Sequence, residues 1–387
     1  MSVRPNLSRI EAPPTGSWFQ LLLKLEAGAR LSGSSEIEVE KYLFEKYAAD
    51  SSSWKRKIYY AVKPVIPRPI QLQLRKKYTQ MQAAAQQFPA WPIEPILVDA
   101  LHSFIGNTIQ ENIGQAVYHI PFWPDGKRFA FVITHDVEGD SGLANVFRLT
   151  EIEKSLGFSS SWNVVPERYP IDFKIIDKLR ADGFEIGIHG LKHDGKLFES
   201  RRVFEERLIK IHRYAREWGA VGFRSPSTLR NAEWMRLLEF EYDSSSPDTD
   251  PYEPQPGGCC SIWPFFIGSV VELPLTLPQD HTLFEILGRK DIGIWRQKVD
   301  WIQQHRGVAV LNVHPDYMQS SDRLRLYEEF LLYMREKENM WHVLPRVSAQ
   351  WWRERSGLQL TKVDDEYRFH GKISGSFNFK EERLSIV

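Results

Sequence analysis

The chain has 387 residues, 42% of them hydrophobic and 26% charged, and its 50 Lys+Arg balance 50 Asp+Glu. This is the composition of a globular protein with a sizeable core, and zero formal charge argues against a strong chain-wide field for nucleic acid, so no nucleic-acid partner is expected. The two cysteines, Cys259 and Cys260, are adjacent, which excludes a disulfide framework, leaves no thiolate zinc site and fits a reducing compartment.

The opening stretch, MSVRPNLSRIEAPPTG, lacks a basic start followed by an apolar run and a small-residue cleavage site, so no signal peptide is expected. The longest apolar runs, such as Trp18–Leu23, are too short to cross a membrane. A cytoplasmic protein is the resulting expectation. Residues 1–125 read as a mainly helical region, with helical stretches at Glu36–Tyr47 and Ile70–Gln87, breaks at Ser51–Ser53 and Pro64–Pro69, and a rigid connector at Phe88–Pro95. Between Ser51 and Ile93 stand eight Lys/Arg and no Asp/Glu. A solvated helical face accounts for this run. The sharper alternative is peripheral membrane contact through 51–93, or a surface for an anionic polymer.

From Arg128 onward strands and helices alternate. Phe129–Thr134, Ser159–Val165, Phe184–Ile188, Val221–Phe223, Val270–Leu275, Val308–Val313 and Trp341–Leu344 read as strands. Gly142–Leu156, Ile171–Ala181, Glu199–Trp218, Asn231–Phe240, Ile294–His305 and Asp322–Glu336 read as helices. The alternation, over 126–350, predicts an α/β unit with a parallel sheet, open or closed into a barrel, and a site at the carboxyl ends of its strands. Residues 351–387 form a tail whose alternating residues, with Gly371 and Gly375, suggest a small β-hairpin or a loose end. Thirteen tryptophans are many, and some are expected to line a groove, where aromatic faces suit sugar rings.

The notable ionisable residues fall where strands end. FVITHDVEGD presents Thr134, His135, Asp136 and Glu138; FEIGIHGLKHDG presents His189 and His193; VGFRSPS presents Arg224; and VLNVHPDY presents His314. In extended backbone Asp136 and Glu138 point to one side and His135 to the other. One carboxylate can then hold a metal while the other acts as base, or both are solvated loop acids. His189 and His193 are spaced i, i+4, so on one helical turn both rings can share a cation, and two imidazoles plus a carboxylate suit Zn²⁺, Fe²⁺, Co²⁺ or Ni²⁺. His314 can serve as general acid, and Arg224 can hold Asp136 ionised or form a structural ion pair.

These segments, in order, resemble the five motifs of the polysaccharide deacetylase family, also called the NodB-homology domain or carbohydrate esterase family 4. THDVE resembles the first motif, HGLKH the second, RSPS the third and LNVHP the fifth, and YDSSSPDTD stands where the fourth is expected. The resemblance spans Phe129 to Leu344. It implies a distorted (β/α)7 barrel, a divalent metal with zinc first and iron, cobalt or nickel as alternatives, and a carbohydrate substrate, an acetylated sugar or glycan precursor. It also implies roles: Asp136 as catalytic base, His189 and His193 as metal ligands, Arg224 as the residue that tunes the base, and His314 as catalytic acid.

The chain departs from the family pattern in three places. The usual second aspartate is Val137, and in a variant branch of the family with Asp-Val-Asp the ligand stands two residues after the base, where this chain has Glu138; either Asp136 or Glu138 can then be the acidic ligand. The third motif ends in Ser227. The fourth has Asp243 in range and Trp263 as a substitute for its usual tryptophan. The expected function is a metal-dependent hydrolase that removes an N-acetyl (acyl) group from a sugar; the alternatives are an imidase-like C–N hydrolase and a non-catalytic carbohydrate-binding barrel.

Overall fold

A computed structural model describes residues 18–30, 38–48, 68–85 and 88–385. The central strand, β2 (Phe129–Val137), is buried along its whole length, which its unbroken apolar start requires of a strand covered on both faces. One edge of β2 pairs with β9 (Val308–Val313) and the other with β3 (Ser161–Val164) and β10 (Met340–His342). The sheet continues through β4 (Glu185–His189), β5 (Gly222–Arg224), β6 (Tyr242–Asp243) and β8 (Val270–Glu272), all parallel, to an antiparallel edge strand, β7 (Phe265–Ile267).

Past β8 the chain bends back to β9. The Leu277 N–H donates to the Val310 carbonyl (3.1 Å), and Thr276 Oγ1 donates to the Val308 carbonyl and accepts from the Val310 N–H. The seven strands β2, β3, β4, β5, β6, β8 and β9 therefore close on themselves, through a thin seam rather than a full ladder. The expectation of an α/β barrel, distorted at its closure, is met.

Helices follow most strands: α5 (Asp140–Leu156), α6 (Phe173–Ala181), α7 (Arg201–Trp218), α8 (Ala232–Met235), α9 (Gly293–Gln304), α10 (Ser321–Arg335) and α11 (Pro345–Ser356). Their ends carry ordinary signals. Asp172, Ser200, Asn231 and Ser320 accept backbone N–H bonds as N-caps. Gly157 stops α5 in the left-handed conformation that glycine adopts without strain. The helix expected over Asn231–Phe240 is cut to one turn, because the chain straightens at Tyr242 to enter the sheet.

Before the barrel lie α1 (Trp18–Leu23), α2 (Val39–Leu43), α3 (Arg68–Ala85), α4 (Ile96–Glu111) and the short strand β1 (Tyr118–His119). One buried apolar cluster runs from Phe19 to Leu384 and takes in residues of these helices and of the barrel, and Arg230 pairs with Glu45. The tail forms the expected hairpin, β11 (Gln359–Val363) with β12 (Glu366–His370), and then β13 (Glu382–Arg383), which returns to pair with β1.

Candidate metal centre and active site

The carboxyl ends of β2, β4, β5 and β9 meet at one mouth of the barrel, and Asp136, Glu138, His189, His193, Arg224 and His314 come together there. β2 alternates as anticipated. His135 turns away from the mouth, stacks on Trp162 (ring centroids 4.0 Å apart) and points Nε2 at Glu153 Oε1 (2.6 Å), which also accepts from the Tyr327 hydroxyl. Asp136 and Glu138 turn inward.

His189 ends β4. Its Nδ1 lies 3.2 Å from the Arg224 carbonyl, an acceptor that fixes the ring proton on Nδ1 and leaves the Nε2 lone pair free. Burial pushes its pKa down to about 4, so the ring is neutral at physiological pH. His193 reaches the same place by a route the spacing did not predict. Residues 190–193 form no helical turn; Gly190 and His193 both take positive φ (61° and 52°), and the chain folds back so that the two rings stand 5.0 Å apart. The two rings meet, but not by the helical turn that the i, i+4 spacing suggests.

Glu138 Oε1 lies 2.7 Å from His193 Nε2, but not along the ring N–H direction. Both imidazole Nε2 atoms are buried without a hydrogen-bond partner among the described residues. Glu138, His189 and His193 bring their ligand atoms within 4.8 Å of one another. Ligands on a tetrahedral ion at about 2.0–2.2 Å stand roughly 3.3 Å apart, so small side-chain adjustments complete a three-ligand site with positions left open. Two buried imidazole nitrogens without hydrogen-bond partners and a carboxylate are the donor set that a divalent transition ion requires, and the residues present fit that group. Burial raises the Glu138 carboxyl, yet His193, with His314 and His189 further out, holds it well below the usual carboxylate range.

Asp136 stands beside this set and is held on both oxygens. Asn163 Nδ2 donates to Oδ1 (2.9 Å); Asn312 Nδ2 (2.8 Å) and Arg224 Nη1 (3.4 Å) approach Oδ2. Burial opposes its charge, but the Arg224 guanidinium, the two nearest histidines and the Asn163 amide outweigh burial and keep it ionised far below the ordinary range. Arg224 is fully buried and also donates to Thr134 Oγ1 and Ser244 Oγ.

His314 faces the same carboxylates from β9, with Nε2 3.8 Å from Asp136 Oδ2 and 3.9 Å from Glu138 Oε1. Its Nδ1 lies 2.6 Å from Asp280 Oδ1, and its backbone N–H donates to Asp280 Oδ2 (3.0 Å). Burial alone would strip the ring of its proton; Asp280 first, then Glu138 and Asp136, reverse this and lift the pKa to about 10.

Sequence reasoning missed Asp280, Asn163 and Asn312. Asp280 had a usable signal, since it follows the strand-like run Val270–Leu275 much as the other site residues follow theirs. The two asparagines had none, because a carboxamide inside an apolar strand announces no charge. The fourth-motif substitutes do not join the metal ligands. Asp243 lies in register with Glu272 on β8 and accepts from Ser245 Oγ, and Trp263 packs against Trp18 and Phe122.

No family model matches the sequence, and no curated protein does. Among solved structures, the chain is similar to a protein assigned as a polysaccharide deacetylase from Mycobacterium smegmatis, with 19% identity over 60% of this chain and 93% of that one and a TM-score of 0.48. It is likewise similar to the PuuE allantoinase (16% identity, 60% and 93% covered, TM-score 0.44). A third match is a Pseudomonas aeruginosa PAO1 protein assigned as a polysaccharide deacetylase (17% identity, 60% and 94% covered, TM-score 0.44).

Proposed function

We propose that the chain is a metal-dependent hydrolase that removes an N-acetyl or similar acyl group from a sugar or glycan precursor. One observation carries this reading: two buried imidazole nitrogens and the Glu138 carboxylate converge beside a carboxylate kept ionised and an imidazole kept protonated. Titratable groups whose environments push their pKa values apart are the signature of an acid/base pair. Glu138, His189 and His193 would hold the ion, zinc first, with iron, cobalt or nickel as alternatives. The ion, when bound, supplies Lewis-acid polarisation to the acyl carbonyl and to a water.

The chain's own groups do the rest. Asp136, ionised and aimed by Asn163, Asn312 and Arg224, accepts a proton from the attacking water. The oxygen adds to the acyl carbon, and the C–N bond breaks. His314 passes its Nε2 proton to the departing amine, and Asp280 stabilises the ring in both states. Water is consumed, and acetate and a free amine result.

The test is acetate release from a panel of N-acetylated sugars by protein as purified, after chelation, and after addition of Zn²⁺, Fe²⁺, Co²⁺ or Ni²⁺. Activity that disappears on chelation and returns with one ion per chain is the expected result. Ring-opening of cyclic ureides without acetate release would point to imidase-like chemistry. Protein that binds no metal and releases nothing would leave a carbohydrate-binding barrel.

A glycan precursor carried on lipid would bring the protein to a membrane surface, and the basic run supports that partner. Residues 51–67 and 86–87 of this run lie outside the described residues. Within α3, Lys76 and Lys77 are exposed next to Tyr78 and Met81, 58% and 64% exposed, a basic and amphipathic combination suited to anionic headgroups. Gln82 ties this helix to the carbonyls of Pro251 and Glu253, and Glu253 reaches the site through Gln279 and Asn312. Vesicles with anionic lipid are expected to retain the protein and neutral vesicles to release it; equal behaviour with both removes this part of the proposal. Among the described residues no helix is long and apolar enough to cross a membrane.

A further inference from the structure

We propose that Asp316 is a positioning residue for the ligand Glu138, acting as a cap that the loop after β9 supplies to the start of α5. The inference rests on the metal-site reading above and adds a residue to it that touches neither ion nor substrate.

The first turn of α5 carries backbone N–H groups with no partner inside the helix, and its N-cap position is Gly139, which has no side chain to offer. Asp316 takes that part from 174–178 residues away. Its Oδ2 accepts from the Glu138 N–H (2.8 Å), and its Oδ1 accepts from Ser141 Oγ (3.0 Å) and the Gly142 N–H (3.1 Å). Asn145 on α5 completes the joint from the other side, donating to the carbonyls of Pro315 and Met318. The loop that carries Glu138 and the loop that carries His314 are thus fastened to each other at the backbone.

Close packing adds a second, independent sign. A Cβ on Gly142 would stand 2.0 Å from Asp316 Oδ2 and 2.6 Å from its Cγ, so the residue at 142 must be glycine for the carboxylate to sit where it does. The contact has a functional consequence because glutamate is a long, flexible ligand. With one more methylene than aspartate, Glu138 has more conformations to lose on binding an ion. Fixing its backbone N–H leaves those torsions free but holds the point from which the side chain reaches toward the ion.

The experiment measures zinc affinity on apo protein by competition with a chromogenic chelator, alongside circular dichroism and thermal melting, for the wild type, Asp316→Ala, Gly142→Ala and His189→Ala. Asp316→Ala is expected to weaken zinc binding by about 10–100-fold, the usual effect of removing a group that orients a ligand. Gly142→Ala is expected to weaken it in the same direction with a smaller loss of melting temperature than Asp316→Ala, because the helix-forming gain of alanine offsets part of the lost cap. A merely structural role for Asp316 would not separate affinity from stability in this way. If Asp316→Ala does not fold, Gly142→Ala decides alone. Zinc affinity equal to wild type in the folded variants, with His189→Ala losing it, overturns this inference and leaves the metal site standing. A wild type that binds none of Zn²⁺, Fe²⁺, Co²⁺ and Ni²⁺ overturns both.

Discussion

Replacing His314 by alanine is expected to lower kcat by about 10²–10⁴-fold, the range for a lost general acid. Replacing Asp280 by asparagine is expected to move the alkaline limb of the rate profile. In the wild type the ring keeps its proton to about pH 10 despite its burial, and Asp280 is the main group that makes it do so. The sign follows directly. Below about 10 the ring is charged and can donate, so the rate holds through neutral pH and falls as pH rises past that value. Without the Asp280 carboxylate the proton leaves earlier and the limb moves to lower pH. Because the same carboxylate also accepts from the His314 backbone N–H, asparagine keeps an oxygen for that bond and spares the geometry. kcat/KM measured against pH for both proteins is the check. A limb that stays in place in Asp280→Asn would mean that another group governs it.

The second large effect belongs to Asp136→Asn, which should damage both rate and stability. Loss of a base typically costs about 10²–10⁴-fold in rate. The stability cost arises because Arg224, fully buried, pairs with Asp136, and removing one member of a buried ion pair costs about 3–5 kcal/mol. An amide at this position adds a conflict, since donors from Asn163 and from Asn312 and Arg224 already address both oxygens, and an NH₂ group would face one of them. The pH dependence has a definite direction. The folded-state pKa of Asp136 is depressed, so its contribution is complete above the unfolded value near 3.9 and is lost as pH falls below it. Urea unfolding at neutral pH and near pH 3 should give a wide gap between wild type and variant that narrows in acid. A gap absent at neutral pH would mean that Arg224 finds its compensation elsewhere.

The sequence reading succeeded where one physical rule was sufficient. β2 is a continuous apolar run because both its faces are covered, and polar residues at the ends of such strands are polar because that is where the barrel opens. Asp136, Glu138, His189, Arg224 and His314 all follow from that rule. Its failures share a different origin. β6 is two residues long and leaves no periodicity to detect. α11 begins with a proline at its first turn, a start signal that the sequence reading did not use. The His189–His193 pair looked helical because spacing records separation and not the path between, and only the left-handed angles at Gly190 and His193 reveal the loop.

Residue 224 contributes to the mouth of the barrel through two parts with different fates under mutation. Its guanidinium neutralises one carboxylate, and its carbonyl sets the orientation of an imidazole that would hold the ion. Side-chain replacement reaches the first and spares the second, because every amino acid brings the same carbonyl. Variation at this position can therefore alter the charge environment of the base while the ligand ring keeps its tautomer.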